Sequence, residues 1–105
     1  MEELPQPKSP ETCADMREVR LGVDTLDRQL VALIARRFAY MDAAARIKTD
    51  RSSVRDEARK AEVLANVRRA AIDSGIPADV VTQLWEALIE GSIAYELERW
   101  DGLRR

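Results

Sequence analysis

Arg37 and Lys48 stand where a long amphipathic helix should carry apolar side chains. From Val19 onward the inward slots read Val19, Val23, Leu26, Leu30, Leu33, Arg37, Met41, Ala44 and Lys48. Steps of three and four residues keep one helix face turned to a core. A cation in such a slot is costly to desolvate unless an anion pairs with it. At ~100° per residue, the two differ by about 20° around the helix and ~16 Å along it. Both side chains are long enough to converge on one small anion. That anion is either a carboxylate of the fold or a bound substrate.

Other residues add to this pair. Arg20 borders the same stripe but lies about 25 Å from Arg37 along the rod, too far to share a ligand within one chain. In an antiparallel pair of chains centred near Arg28, Arg20 of one copy falls opposite Arg37 of the other. Ser92 and Glu96 are one turn apart, among Trp85, Leu88, Ile89 and Ile93. Buried polar groups need partners, so these two are expected to line the pocket. Asp56 and Arg59 add a corner at a helix start, where backbone amides are free. The set offers cations for carboxylates and one carboxyl group, with no nucleophile–base pair. Such a site suits electrostatic catalysis of a rearrangement or elimination better than hydrolysis.

Three helices must position these groups. The first is predicted from about Asp15 to about Lys48, interrupted only by Gly22, whose cost of ~1 kcal/mol a long helix tolerates. Its start is capped by Ser9, ahead of Pro10, or by Asp15. Asp50-Arg51-Ser52-Ser53 reads as a polar loop. The second helix is predicted over about Glu57 to Asp73, capped by Asp56, with Ala61, Leu64 and Val67/Ala71 inward and a left-handed stop at Ser74-Gly75. A short link through Pro77 leads to a third helix, about 78–100. There Val81, Leu84, Trp85, Leu88, Ile89, Ile93, Leu97 and Trp100 form one broad face. Lys60, like Arg36, Arg46, Arg68 and Arg69, reads as a surface charge.

A first helix of roughly 35 residues makes a rod of about 50 Å, against a radius of gyration near ~13 Å for a compact chain of this size. Two shorter helices cannot cover its whole stripe. An intertwined homodimer with antiparallel first helices is therefore expected. The fold class is all-α, three helices per chain. Residues 1–12, with three of the four prolines, read as a flexible tail, and residues 102–105 as a frayed end.

Composition narrows the function. Apolar residues make up 46% and aromatics only 5%, with 4 Gly and 4 Pro, so little turn chemistry for a sheet is present. A formal charge of −2 from 17 basic and 19 acidic residues gives no field for nucleic acid. Cys13 is the single cysteine and histidine is absent. Intrachain disulfides, thiolate–imidazole metal sites and histidine catalysis are excluded. No apolar run approaches the ~20 residues of a membrane span, and MEELPQPKSPETC has no signal-peptide core. A cytoplasmic protein is expected.

The segments VRLGVDTLDRQLVALIARR, Ile47-Lys48, VRDEAR and LIEGSIAYE resemble the all-helical chorismate mutases across about 80 residues. In that family helices of two protomers enclose a site that converts chorismate to prephenate without a cofactor or metal. The resemblance implies a helical domain over 13–101. It makes Arg37, and Arg20 of the second chain, carboxylate binders. Lys48 would contact the ether oxygen and a carboxylate, Arg59 would support the anionic end, and Asp56 and Ser92 would meet polar substrate atoms. Many members have Glu where Lys60 stands, accepting from the substrate hydroxyl, which Lys60 cannot do. Many have Gln at Glu96, and others have Glu. An ionised Glu cannot donate, so Glu96 must hold its proton during reaction. Turnover favoured by mildly acidic pH is expected.

Two further readings stand beside the mutase. One is an isochorismate–pyruvate lyase, a branch of the same fold that forms salicylate and pyruvate; the missing Glu at Lys60 and the SPETCADM lead-in resemble that branch. The other is a non-enzymatic helical dimerisation module, in which Glu96 merely pairs with Lys48 and the cations snorkel to solvent.

Overall fold

A computed structural model describes residues 6–105; the first five residues of the expected tail lie outside the described residues. The described chain is all-helical, with no strand. Its α-helices are α1 (Met16–Ile47), α2 (Glu57–Asp73) and α3 (Ala78–Leu103), with short 3-10 turns at Pro10–Thr12 and Arg51–Ser53. It divides into two compact units, Met1–Arg37 and Phe38–Arg105.

In the first unit, of the two predicted caps of the first helix, Asp15 is the one used. Pro10–Thr12 forms its own turn, without a side-chain cap from Ser9. The α1 start is then held by Asp15, whose Oδ1 accepts from the Glu18 amide at 2.9 Å, while Glu18 Oε1 accepts from the Ala14 amide at 3.3 Å. Satisfying free first-turn amides in this way stabilises a helix start. Lys8 pairs with Glu18 at 2.5 Å. That contact lowers the Glu18 pKa against the opposing effect of burial, and raises that of Lys8. The apolar stripe of α1 is uncovered within the chain: Val19 is 37% exposed, Val23 50%, Leu26 57%, Leu30 53% and Leu33 66%.

The second unit carries the buried core, with Ala45, Val54, Ala71 and Ile89 enclosed together with two polar residues, Ser92 and Glu96. Tyr95 donates to Asp42 Oδ1 at 2.7 Å and Arg99 Nε to the same oxygen at 2.9 Å, tying the end of α1 to α3. The Phe38 and Tyr95 rings meet edge-on at 4.9 Å. The α2 stop is as expected. Gly75 adopts φ +71°, and the Ile76 and Gly75 amides return to Ala71 and Ile72 carbonyls at 3.1 Å each, closing the helix with a left-handed turn.

Three positions differ from the expected faces. Ala61 and Leu84, expected inward, are exposed. Lys60, expected on the surface, keeps only 16% of its side chain exposed and ends between Glu86 at 2.5 Å and Glu90 at 2.9 Å. Leu64, Val67 and Ala71 pack as expected, and at the first turn Lys60 replaces Ala61 because a lysine stem can cover apolar surface while its ammonium finds carboxylates. Finally, α3 runs three residues past its expected end, through two of the four residues expected to fray.

Candidate active site

Lys48 follows the last residue of α1, with its amide bonded to the Ala44 carbonyl at 2.9 Å. Its Nζ donates to Glu96 Oε2 at 2.8 Å. The lysine side chain is 30% exposed and the glutamate 5%. A carboxylate this deep needs a compensating cation, and a 2.8 Å ammonium bond supplies one. Glu96 is therefore an acceptor toward Lys48, and any donation to a ligand falls to its second oxygen while protonated.

Ser92 lies one turn before Glu96 on α3, is 3% exposed, and donates to the Leu88 carbonyl at 2.7 Å. A serine bonded back to its own helix is held in one rotamer. Asp56 caps α2, accepting from the Arg59 amide at 3.0 Å. Its helix-start role is thus realised, and it leaves one carboxylate oxygen out of that bond. The Arg59 guanidinium pairs with Glu62 on the exposed side of α2. Lys48, Glu96, Ser92, Asp56 and Arg59 belong to the second unit. Arg20 and Arg37 belong to the first, where Arg20 is exposed on α1 and Arg37 is half-buried.

A second charged group flanks α2 and α3. Arg55 forks onto Glu90 at 2.7 and 3.1 Å and reaches Glu57 at 2.9 Å. With Lys60 also on Glu90, the Glu90 carboxyl is pulled down to about 2, first by Arg55 and then by Lys60. Glu90, then Glu57, raises the pKa of Arg55, and Glu86, then Glu90, raises that of Lys60. Arg55 was not anticipated from sequence: its partner lies 35 residues away, and no local pattern links them.

Two more residues escaped sequence reasoning. Trp100 Nε1 donates to the Lys48 carbonyl at 3.0 Å, and Arg104 Nη2 donates to the same oxygen at 2.7 Å. Glu96 and Trp100 lie one turn apart on one α3 face, and Arg104 is the C-cap residue that follows. Among the described residues, no group of three or more Asp, Glu or Cys side chains gathers as a metal site would require. No helix among them is long and apolar enough to cross a membrane.

Two comparisons bear on this arrangement. The family model described as chorismate mutase type II matches residues 19–97. The chain is also 30% identical over 93 residues to a protein of Pseudomonas aeruginosa named isochorismate pyruvate lyase, covering 89% of this chain and 92% of that one.

Proposed function

Because this chain belongs to the chorismate mutase type II family, we propose that it rearranges chorismate to prephenate, without a cofactor, in cytoplasmic aromatic amino acid biosynthesis. The observation that carries this reading is the match of residues 19–97 to that family's model; the Lys48–Glu96 pair, an ammonium and a buried carboxyl group joined at 2.8 Å, fits it and the dimerisation module alike.

The reaction is concerted. The enolpyruvyl arm folds over the ring, a carbon–carbon bond forms, and the ether carbon–oxygen bond breaks. Holding the arm in a reactive pose removes much of the entropic barrier. Negative charge grows on the ether oxygen as its bond lengthens. Lys48, with Glu96 protonated, stabilises that charge more than it stabilises bound substrate. Arg37 binds a substrate carboxylate, Arg59 supports the anionic end, and Asp56 and Ser92 contact polar substrate atoms.

The site is completed by a second copy of the chain, which lends Arg20 across a homodimer interface. Support comes from the five α1 stripe residues, each more than a third exposed. It comes also from an apolar groove of about 550 Å³ beside them, lined by Pro7, Pro10, Cys13, Val19, Val23 and Leu26 among others. Exposed apolar surface of this extent marks an association site.

A second reading, isochorismate–pyruvate lyase, is favoured by the lyase relative and by Lys60, whose ammonium is engaged by two α3 carboxylates. Supplying purified protein with each substrate in turn separates the readings. Prephenate from chorismate is expected. Salicylate and pyruvate from isochorismate alone transfer the assignment to the lyase. No turnover of either, with no thermal shift on adding a bicyclic dicarboxylate mimic, leaves a helical dimerisation module.

A further inference from the structure

We propose that Arg104 and Trp100 are positioning residues that act through Lys48, an inference that rests on the role assigned to Lys48 in the proposed reaction. Lys48 is gripped at both ends by α3 and its C-cap residue. Its ammonium meets Glu96, while its carbonyl accepts from Trp100 Nε1 at 3.0 Å and Arg104 Nη2 at 2.7 Å. The other guanidinium arm reaches the Ala45 carbonyl at 3.0 Å and the Trp100 carbonyl at 3.3 Å. The guanidinium itself lies 4.2 Å above the Trp100 ring, which fixes its plane.

The physical need for such a clamp is plain. The last four carbonyls of a helix lack intrahelical partners, and its final turn unwinds unless they find donors. Lys48 sits one residue beyond α1, with a polar turn after it. An ammonium on a four-carbon stem wanders widely if its backbone frays. Arg104 and Trp100 supply the missing donors, and the cation also favours the negative end of the helix dipole. Because Glu96 and Trp100 lie one turn apart on α3 and Arg104 caps its C-terminus, the clamp ties the backbone of Lys48 to the helix that carries its acid partner. A misplacement of about 1 Å at such a group can cost about 100-fold in rate.

The test is a double-mutant cycle read in kcat and KM, with circular dichroism to confirm folding. Arg104→Ala is expected to lower kcat about 10- to 100-fold, with KM changed less than about threefold. Added methylguanidine is expected to restore part of the loss. In a Lys48→Ala background, Arg104→Ala should cost nothing further, since a residue acting through Lys48 has nothing left to position. An equal loss in both backgrounds overturns the proposal, because Arg104 then works independently of Lys48. So does an unchanged kcat in Arg104→Ala while Lys48→Ala is impaired. Trp100→Phe, which keeps a ring beneath the guanidinium but removes one donor, repeats the cycle if Arg104→Ala does not fold. A wild-type kcat in Lys48→Ala removes the underlying role of Lys48, and the positioning inference with it.

Discussion

Lys48 and Glu96, 48 residues apart in sequence, meet through a single 2.8 Å bond that joins the end of α1 to the buried face of α3. The glutamate is the more enclosed partner, and the lysine keeps a path to solvent or substrate. This asymmetry gives each residue a separable test.

Lys48→Ala leaves Glu96 buried without its cation and, in the proposed reaction, removes the donor at the developing charge. Turnover of chorismate, followed by loss of substrate and appearance of prephenate, is expected to fall 100-fold or more, about 3 kcal/mol of barrier. Near-normal turnover refutes the assigned role.

Glu96→Gln replaces an acceptor that donates only when protonated by an amide that donates at every pH. Wild-type turnover is expected to rise toward mildly acidic pH, and the variant profile to be flatter near neutrality. Matching pH–rate profiles for the two proteins would count against Glu96 as a donor.

Glu90 governs a different pH response. Its folded pKa is depressed to about 2 from 4.5, so its contribution to stability is present above 4.5 and is lost as pH falls toward 2. Lys60 has the opposite sign: its raised pKa contributes fully below 10.5 and fades only above it. The melting temperature of Glu90→Gln should therefore decline less steeply than that of the wild type between pH 5 and 2. Parallel declines would show that the Arg55–Glu90–Lys60 cluster is not a source of acid sensitivity.

Gly22 offers a stabilising change. It sits inside α1, and a Cβ placed there meets only Pro7 Cβ, at 4.0 Å, an ordinary contact. Gly22→Ala is expected to raise stability by about 0.5–1 kcal/mol through reduced chain entropy in the unfolded state. Denaturant melts measure it directly, and a lowered midpoint contradicts it.

Shared sites can be tested by mixing inactive proteins. If Arg20 is lent across the interface, Arg20→Ala and Lys48→Ala chains refolded together form heterodimers with one intact site each. About a quarter of wild-type activity is expected from random pairing in a two-fold dimer. Mixtures no more active than their components place both residues in the same chain's site.

The sequence carried the helices well where their ends have chemistry. Asp56 and Ser74-Gly75 bracket α2 as Glu57–Asp73, the predicted range. Asp15 likewise marks the α1 start. Faces were less legible than ends. Ala61 and Leu84 are exposed at the edges of faces whose other members pack as expected, and only packing between α2 and α3 decides an edge position. Lys60 was read as a surface charge because charge hides the apolar stem that lets it cross a helix interface. Lys48 and Glu96 stood out because each interrupts an apolar pattern. Arg104 did not, since three of the four residues from Gly102 to Arg105 are ordinary for a helix end, and its partners are carbonyls 56 and 59 residues earlier. Backbone acceptors leave no trace in a residue pattern.

The uncovered leucine and valine stripe of α1 has a kinetic corollary. The α2–α3 hairpin, joined by a four-residue turn closed by Gly75, assembles from near neighbours in the chain, an event of unimolecular rate. In the proposed homodimer, shielding the α1 stripe calls for an encounter between two molecules, and such encounters slow in proportion to dilution. Refolding followed by fluorescence of the α3 tryptophans should hence resolve an early step indifferent to protein concentration and a later one that lengthens as the solution is thinned.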